Sequence, residues 1–343
     1  MVTKVSIFGV AGYTGAQLVS ILINHQNVKI DAVFGEKTIG KKLQDFLPKS
    51  LCVPNKEIID YEDYDFEKSD IVFSCLPHGI SQKVLSKINA KKIIDLSADF
   101  RFDNSSVFEK IYNIRHESKK KNLNFFYGLP ELYSEKIKKS NFISNPGCYP
   151  TSILIPMIPI LKSDFLKKKL DIFVDSKSGL SGAGKKMTEQ NQFMNINQNF
   201  FPYNVCLHRH QYEIEQEMEK FNNKYSLTFL TQLLPISRGL QSTIFIKSLN
   251  VKADELREYF VQFYRNSPFV RILDEGEFPE ISNVVGTNFI TFGVFEDKKN
   301  KNIIIISVID NLIKGASGQA VQNMNLMLGF CETEGLKKIN LAP

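Results

Sequence analysis

The chain lacks any apolar run of the about 18 residues that a helical membrane span requires; stretches such as Ile153–Leu161 and Ile303–Ile306 fall well short. A secretory leader is not expected either, because the first apolar stretch, Val5–Val10, runs directly into a glycine turn. Internal repeats and low-complexity linkers are missing. The five cysteines, at positions 52, 75, 148, 206 and 331, form no C-x-x-C pair, and an odd number cannot all pair with one another. Reduced thiols and a cytoplasmic setting are therefore expected. A large excess of one charge is also missing: 43 basic residues face 37 acidic ones, for a formal charge of +6. The lysines stand in short runs such as Lys119–Lys121 and Lys167–Lys169, with no aromatic–basic interleaving. Solvated faces are the expectation, and neither a nucleic acid nor a membrane is expected as a partner. A mild positive bias suits an anionic small substrate.

What is present is the composition of a globular chain, 43% hydrophobic and 23% charged over 343 residues, enough for two domains. Near the start, a short β-rich run, Lys4–Phe8, leads into Gly9-Val-Ala-Gly12-Tyr13-Thr14-Gly15 and then an apolar-faced helical stretch, Ala16–Asn24. Strand, glycine turn and helix form the context in which a backbone can approach a pyrophosphate at a helix N-terminus. A second strand, Val28–Phe34, completes the βαβ unit and ends in Gly35-Glu36-Lys37-Thr38. Glu36 can accept from a ribose 2′-hydroxyl, whereas Lys37 or Thr38 can hold a 2′-phosphate, and both readings stand at this point. Further strands are expected at Ile71–Leu76 and Lys92–Leu96, with a helix at Ile80–Asn89 between them. Their polar tails, Leu76-Pro77-His78-Gly79 and Asp95-Leu96-Ser97-Ala98-Asp99-Phe100-Arg101, should rim the cofactor crevice. From Val107 to Lys139 the chain reads as irregular and lysine-rich.

Asn145-Pro-Gly-Cys148-Tyr-Pro-Thr151 is the sharpest feature. A cysteine between a glycine and a helix start has an accessible sulfur and unpaired N–H groups that favour its thiolate. Pro156 and Pro159 predict a kink in that helix, since each removes a backbone hydrogen bond. The other four cysteines read as packing residues. A thiolate nucleophile wants a proton partner, and Leu207-His208-Arg209-His210-Gln211-Tyr212-Glu213 carries two histidines at alternate positions, with a carboxylate close by. His-Arg-His lacks a third ligand at a familiar spacing, so no metal is expected. Ser178-Gly-Leu-Ser181-Gly182-Ala-Gly184-Lys185 reads as a backbone nest for phosphate, without Walker A spacing. Pro235-Ile-Ser-Arg238-Gly239 offers one arginine in a turn for a carboxylate.

Together these residues resemble the N-acetyl-γ-glutamyl-phosphate reductase family, the arginine-biosynthesis branch of the aspartate-semialdehyde dehydrogenase superfamily. The matching segments run from end to end: 9–15, 95–101, 127–132, 145–151, 178–185, 208–214, 235–239 and 310–323. The resemblance implies an α/β fold, with a Rossmann-like NADP-binding domain and an α/β catalytic domain built on a mixed sheet. The first would span 1–149, with a C-terminal helix at 314–343 packing back on it. The second, for catalysis and dimerisation, would span 150–313 and include strands at Asp171–Lys177, Leu227–Leu234, Thr243–Ser248, Phe289–Glu296 and Asn302–Asp310. A homodimer or homotetramer is implied.

By the same resemblance Cys148 attacks the acyl phosphate of N-acetyl-glutamyl phosphate, phosphate leaves, and hydride from NADPH reduces the thioester to the semialdehyde. His210 is the acid–base group implied, with His208 as its stand-in. Arg238 would hold the α-carboxylate, and Asn145, Ser181, Gly182, Lys185 and His208 would meet the substrate. Gly9, Gly12, Tyr13, Thr14, Gly15, Leu76, Pro77, Ser97, Gly184 and Asn323 would meet the cofactor. The family commonly has Ser-Arg where this chain has Gly35-Glu36, and a carboxylate within about 4 Å of a 2′-phosphate would repel it by roughly 1–4 kcal/mol. Three rivals remain: the paralogue acting on carrier-protein-linked aminoadipyl phosphate in lysine biosynthesis, a non-catalytic nucleotide-binding sensor, and a cysteine hydrolase.

Overall fold

Alternating and continuous apolar runs sort into two sheets. A computed structural model describes residues 2–185, 188–189, 192–247 and 249–336, which form two compact units. The first unit takes residues up to 146 together with the segment from 316 onward; the second takes 147–315.

In the first unit, seven strands form one sheet: β1 (Thr3–Phe8), β2 (Val28–Phe34), β3 (Ile58–Ile59), β4 (Ile71–Ser74), β5 (Ile93–Asp95), β6 (Phe125–Tyr127) and β7 (Phe142–Ser144). Their order is β3-β2-β1-β4-β5-β7-β6 and every pairing is parallel. Parallel strands buried on both faces read as near-continuous Val/Ile/Phe runs, which is how Val5, Ile7, Val72, Phe73, Ile93 and Ile94 come to be buried. The order reverses direction beside β1, the switch point at which such sheets bind dinucleotides. The stretch from 107 to 139 is more regular than its sequence suggests. Helices at Ser105–Tyr112 and Pro130–Lys139 flank β6, which has only three residues and too short a period to read. The C-terminal helix runs from Gly318 to Leu328, shorter than the expected 314–343, and stops at Gly329, whose left-handed φ of 73° ends the helix. The part of that expectation beyond Leu336 lies outside the described residues.

The second unit carries a mixed sheet of β8 (Leu170–Gly179), β9 (Phe201–Pro202), β10 (Tyr225–Leu234), β11 (Leu240–Lys247), β12 (Val270–Ile272), β13 (Ile290–Asp297) and β14 (Asn302–Ile309). The order is β12-β13-β14-β11-β8-β10-β9, with β8–β10 and β12–β13 parallel and the other pairs antiparallel. Alternate residues of β8 (Leu170, Ile172, Val174, Ser176) are buried, so one face packs and the other does not. On the packed face lies the helix Cys148–Lys162, buried from Tyr149 through Leu161.

That helix continues through Pro156 and Pro159. The prolines leave the carbonyls of Ser152 and Ile155 without their helical donors. Ser307 Oγ donates to Ser152 O at 2.7 Å, and the Tyr264 hydroxyl donates to Ile155 O. Both freed acceptors are thus satisfied by side chains more than 100 residues away in sequence. Ser307→Ala and Tyr264→Phe should each cost about 1–3 kcal/mol in chemical denaturation, because a buried carbonyl loses its donor. A change below about 0.3 kcal/mol for both would contradict this account of how the helix accommodates its prolines.

Candidate active site

The glycine turn of the first unit is dictated by close approach. Gly9 has φ +79°, and a Cβ there would sit 2.6 Å from the carbonyl oxygen of Cys75. At Gly15 a Cβ would fall 2.3 Å from Gly9 O. Gly12 is the N-cap of the helix Tyr13–Leu22, so Tyr13 and Thr14 form its first turn. The free N–H groups of that turn make an anion site. Thr14 O accepts from Ser317 Oγ at 2.8 Å.

Leu76 is half-buried and Pro77 exposed just past β4, as residues rimming a crevice should be. Ser97 differs: it is buried, its hydroxyl donates to Asp95 Oδ2 at 2.6 Å and its backbone N–H donates to Asp95 Oδ1 at 3.2 Å. Burial and the Asp99 charge raise Asp95 to about 6. Its contribution is therefore full below about pH 4 and lost as pH rises through about 6.

Asn145, expected at the substrate, is a buried tie within the first unit. Its amide donates to Ala316 O at 3.2 Å, its Oδ1 accepts from Asn323 Nδ2 at 3.1 Å, and its carbonyl accepts from Arg101 Nε at 2.8 Å. Asn323 also donates to Gly128 O at 2.9 Å, while its buried Oδ1 has no hydrogen-bond partner among the described residues. An acceptor held this way, near the carboxyl end of a Rossmann-type sheet, fits the carboxamide of a nicotinamide ring.

In the second unit, Cys148 opens the 15-residue helix with Gly147 as N-cap. The division between units therefore falls before Cys148, three residues earlier than the expected boundary at 149, because Gly147 and Cys148 are bound to the second unit's own groups. Gly147 N–H donates to Glu213 Oε1 at 2.8 Å, and Glu213 is fully buried. Glu213 thereby ties the His210–Glu219 helix to the turn that carries the cysteine. His210 begins the helix His210–Glu219, and the i, i+3 spacing sets it on the same face as Glu213. None of the five cysteines is joined in a disulfide among the described residues. Burial, reinforced by the Asp95 carboxylate, pushes the Cys75 thiol up, which disqualifies it as a nucleophile.

The two histidines separate cleanly. His208 is packed edge-on against Tyr149, Tyr203 and Phe229, with ring centroids 5.3, 5.5 and 5.7 Å away. Its Nδ1 accepts from His210 N at 3.1 Å. Burial, helped by the Arg209 charge, pulls its pKa down to about 3. A neutral, caged imidazole is a positioning element for the start of the His210 helix. Because the folded value lies below the unfolded one near 6.5, stability is full above that pH and falls as the unfolded chain alone takes up a proton. Acidification from pH 6.5 to 4.5 should cost about 2–3 kcal/mol through this group. His208→Asn keeps an acceptor for His210 N–H and should flatten that slope in urea melts across the same range; an unchanged slope would refute the assignment.

Tyr149 and Tyr203 share a 3.0 Å hydroxyl contact, and burial pushes Tyr203 up to about 12. Neither tyrosine stood out in the sequence, because the pair is assembled from positions 54 apart.

The phosphate nest and the arginine turn come together at one residue. Ser181 lies in the 3-10 turn Leu180–Ala183 after β8, beside Gly182. Gly184 follows at φ +81°, and Lys185 is exposed. Asn311 donates to Ser181 Oγ at 2.9 Å and accepts from Gly239 N at 2.7 Å, so it holds both loops. Half-buried Arg238 faces Asp310 Oδ2 across 3.6 Å. Gly184, expected at the cofactor, belongs to this second unit with Ser181 rather than to the unit holding the glycine turn. Among the described residues no cluster of three His, Cys, Asp or Glu side chains could hold a metal ion, and no helix is long and apolar enough to cross a membrane.

Comparison with known proteins agrees with this division. Residues 4–140 match the semialdehyde dehydrogenase NAD-binding domain, and residues 148–311 match the semialdehyde dehydrogenase dimerisation domain. An N-acetyl-gamma-glutamyl-phosphate reductase of Methanococcus vannielii is 42% identical over 99% of each chain. A probable chloroplastic N-acetyl-gamma-glutamyl-phosphate reductase of Arabidopsis thaliana is 39% identical over 99% of this chain and 85% of the relative. Aspartate semialdehyde dehydrogenase II of Vibrio cholerae has the same fold, with a TM-score of 0.73 at 18% identity, covering 96% of this chain and 99% of that one. An NADP complex of the Candida albicans aspartate semialdehyde dehydrogenase aligns at a TM-score of 0.69 and 15% identity, over 96% of this chain and 99% of that one. With a first unit that matches an NAD-binding domain and a mixed-sheet second unit that matches a dimerisation domain, the chain belongs to the N-acetyl-γ-glutamyl-phosphate reductase family, oxidoreductases of the semialdehyde dehydrogenase fold.

Proposed function

We propose that the protein reduces N-acetyl-glutamyl 5-phosphate to N-acetyl-glutamate 5-semialdehyde and phosphate, with NADPH as donor, in arginine biosynthesis. The observation that carries this reading is Cys148 opening a long helix, with Glu213 on the preceding amide and His210 on the same face as Glu213. The helix N-terminus stabilises the thiolate, and Glu213 fixes the turn that presents it. Cys148 Sγ attacks the acyl carbon, the carbon–oxygen bond to phosphate breaks, and a thioester remains on the enzyme. NADPH, when bound, supplies the hydride that takes this thioester to the aldehyde level. His210 protonates the thiohemiacetal oxyanion that forms and takes that proton back as the carbon–sulfur bond breaks, which releases the semialdehyde and restores the Cys148 thiolate.

Arg238 holds the α-carboxylate, while Ser181, Gly182 and Lys185 receive the leaving phosphate. The cofactor would be held by Gly9, Gly12, Tyr13, Thr14 and Gly15, with Leu76, Pro77, Ser97 and Asn323 toward its nicotinamide. Lys37 or Thr38 holds the 2′-phosphate beside Glu36. Phe173 and Phe245, ring centroids 6.0 Å apart on the uncovered sheet face, support a homo-oligomer formed through that face. The reduced thiol that this chemistry needs fits the cytoplasm.

The test is reduction of NADP⁺ by N-acetyl-glutamate semialdehyde in the presence of inorganic phosphate. Phosphate-dependent turnover is expected, with at least tenfold preference over NAD⁺. Turnover restricted to a carrier-linked aminoadipate semialdehyde would transfer the protein to the lysine pathway, and preference for NAD⁺ would overturn the 2′-phosphate assignment.

A further inference from the structure

Asp310, at the end of β14, is fully buried and uses every acceptor it has. Oδ1 accepts from Leu312 N at 2.8 Å and Ile313 N at 3.1 Å. Oδ2 accepts from Gly286 N at 2.8 Å and faces Arg238 Nε at 3.6 Å. Its backbone carbonyl accepts from Gly315 N at 2.9 Å, five residues on, which is the hydrogen bond of a π-turn; the π-helical segment Ile313–Ser317 begins here. A π-turn inserts one residue into the helical ladder and pushes the chain outward at that point. The residue so placed is Gly315, and it lies against the nucleophile: a Cβ there would be 2.7 Å from Cys148 Cβ and 3.2 Å from Cys148 Cα.

From this geometry we infer that Asp310 is a positioning residue which sets, from one side chain and its own carbonyl, both the aim of Arg238 and the seat of Cys148. One arm runs through Oδ2 to the guanidinium. The other runs through Oδ1 and the carbonyl to the π-turn, and so to Gly315 and the cysteine. A substrate gripped by its carboxylate at Arg238 then meets a sulfur whose position is referred to the same anchor, which keeps the distance between the two constant. Reaction rates depend steeply on that kind of registration. This inference rests on the roles proposed above for Cys148 and Arg238.

Asp310→Ala removes both carboxylate oxygens, whereas Asp310→Asn keeps Oδ1 and replaces Oδ2 by an amide that can neither accept from Gly286 nor pair with Arg238. Two readouts separate the arms: KM for the semialdehyde, and the rate at which iodoacetamide alkylates Cys148, followed by peptide mass with Cys148→Ser as the blank. In folded Asp310→Ala, KM should rise at least tenfold and the alkylation rate should change at least fivefold. Asp310→Asn and Arg238→Ala should raise KM at least tenfold with alkylation within twofold, and Gly315→Ala should move alkylation and kcat with KM within twofold. Either readout remaining within twofold of the parent in folded Asp310→Ala overturns the inference. Should that variant not fold, Asp310→Asn decides the matter, and KM within twofold of the parent there overturns the inference as well. Full activity in Cys148→Ser would instead mean that the nucleophile assignment has failed, an outcome independent of Asp310.

Discussion

Cys148→Ser is expected to lower phosphate-dependent semialdehyde oxidation by on the order of 10⁴-fold while leaving dinucleotide binding intact. The hydroxyl is smaller than the thiol and occupies the same place at the helix start, so packing against Gly315 is preserved. What is lost is an atom that ionises near neutral pH; a serine at a helix N-terminus stays protonated and attacks an acyl phosphate poorly. The residues assigned to the cofactor phosphates all belong to the other unit, so titration with NADP⁺ should give a Kd within about twofold of the parent. Residual turnover above about 1% would sink the thioester route, because the alternatives to a covalent intermediate need no sulfur.

The second large effect belongs to His210. Its replacement by asparagine should reduce kcat about 10²- to 10⁴-fold, the range for loss of a positioned acid–base group. The limb of the pH–rate profile that reports its ionisation should vanish with it. His208→Asn serves as the comparison: a caged imidazole pulled down to about 3 cannot supply a proton at neutral pH, so kcat should stay within about fivefold. If the two variants lose activity equally and retain the same pH profile, the division of labour between the histidines is wrong.

The parts of this molecule legible in its sequence are those set by local chemistry. Gly9, Gly12 and Gly15 after a β-rich run announce a tight strand-to-helix turn, since only glycine tolerates both the positive φ at Gly9 and the approach of Gly15 to Gly9 O. The strands β1, β2, β4, β8, β10, β11, β13 and β14 carry enough β-branched and aromatic residues to show themselves. Cys148 was visible because a glycine precedes it and an apolar helix follows. What stayed hidden is assembled across sequence distance. Nothing near Pro156 reveals that Ser307 will satisfy the carbonyl four residues before it as the helix continues through the proline. Glu213 sits three residues from His210, and nothing local shows that it also accepts from Gly147, 66 residues back. Asp310 and Asn311 stand in a matching segment, but part of their work is done on Gly239, Gly286 and Ser181, none of them a sequence neighbour.

One feature of the chain path bears on how the molecule is made. The first unit begins at the N-terminus but is finished by the helix Gly318–Leu328, whose Asn323 grips Gly128 and Asn145 and whose Gln322 donates to Glu131 Oε1. During synthesis at about 5–20 residues per second, the β1–β7 sheet waits on the order of ten to thirty seconds for that closing helix. The second unit, 147–315, is contiguous and complete before the helix is translated. The middle of the chain therefore matures ahead of its beginning. Nascent chains stalled before residue 316 should yield a protease-resistant second unit beside a digestible first one, and the exposed Val- and Ile-rich sheet is the species a chaperone would hold in the interval.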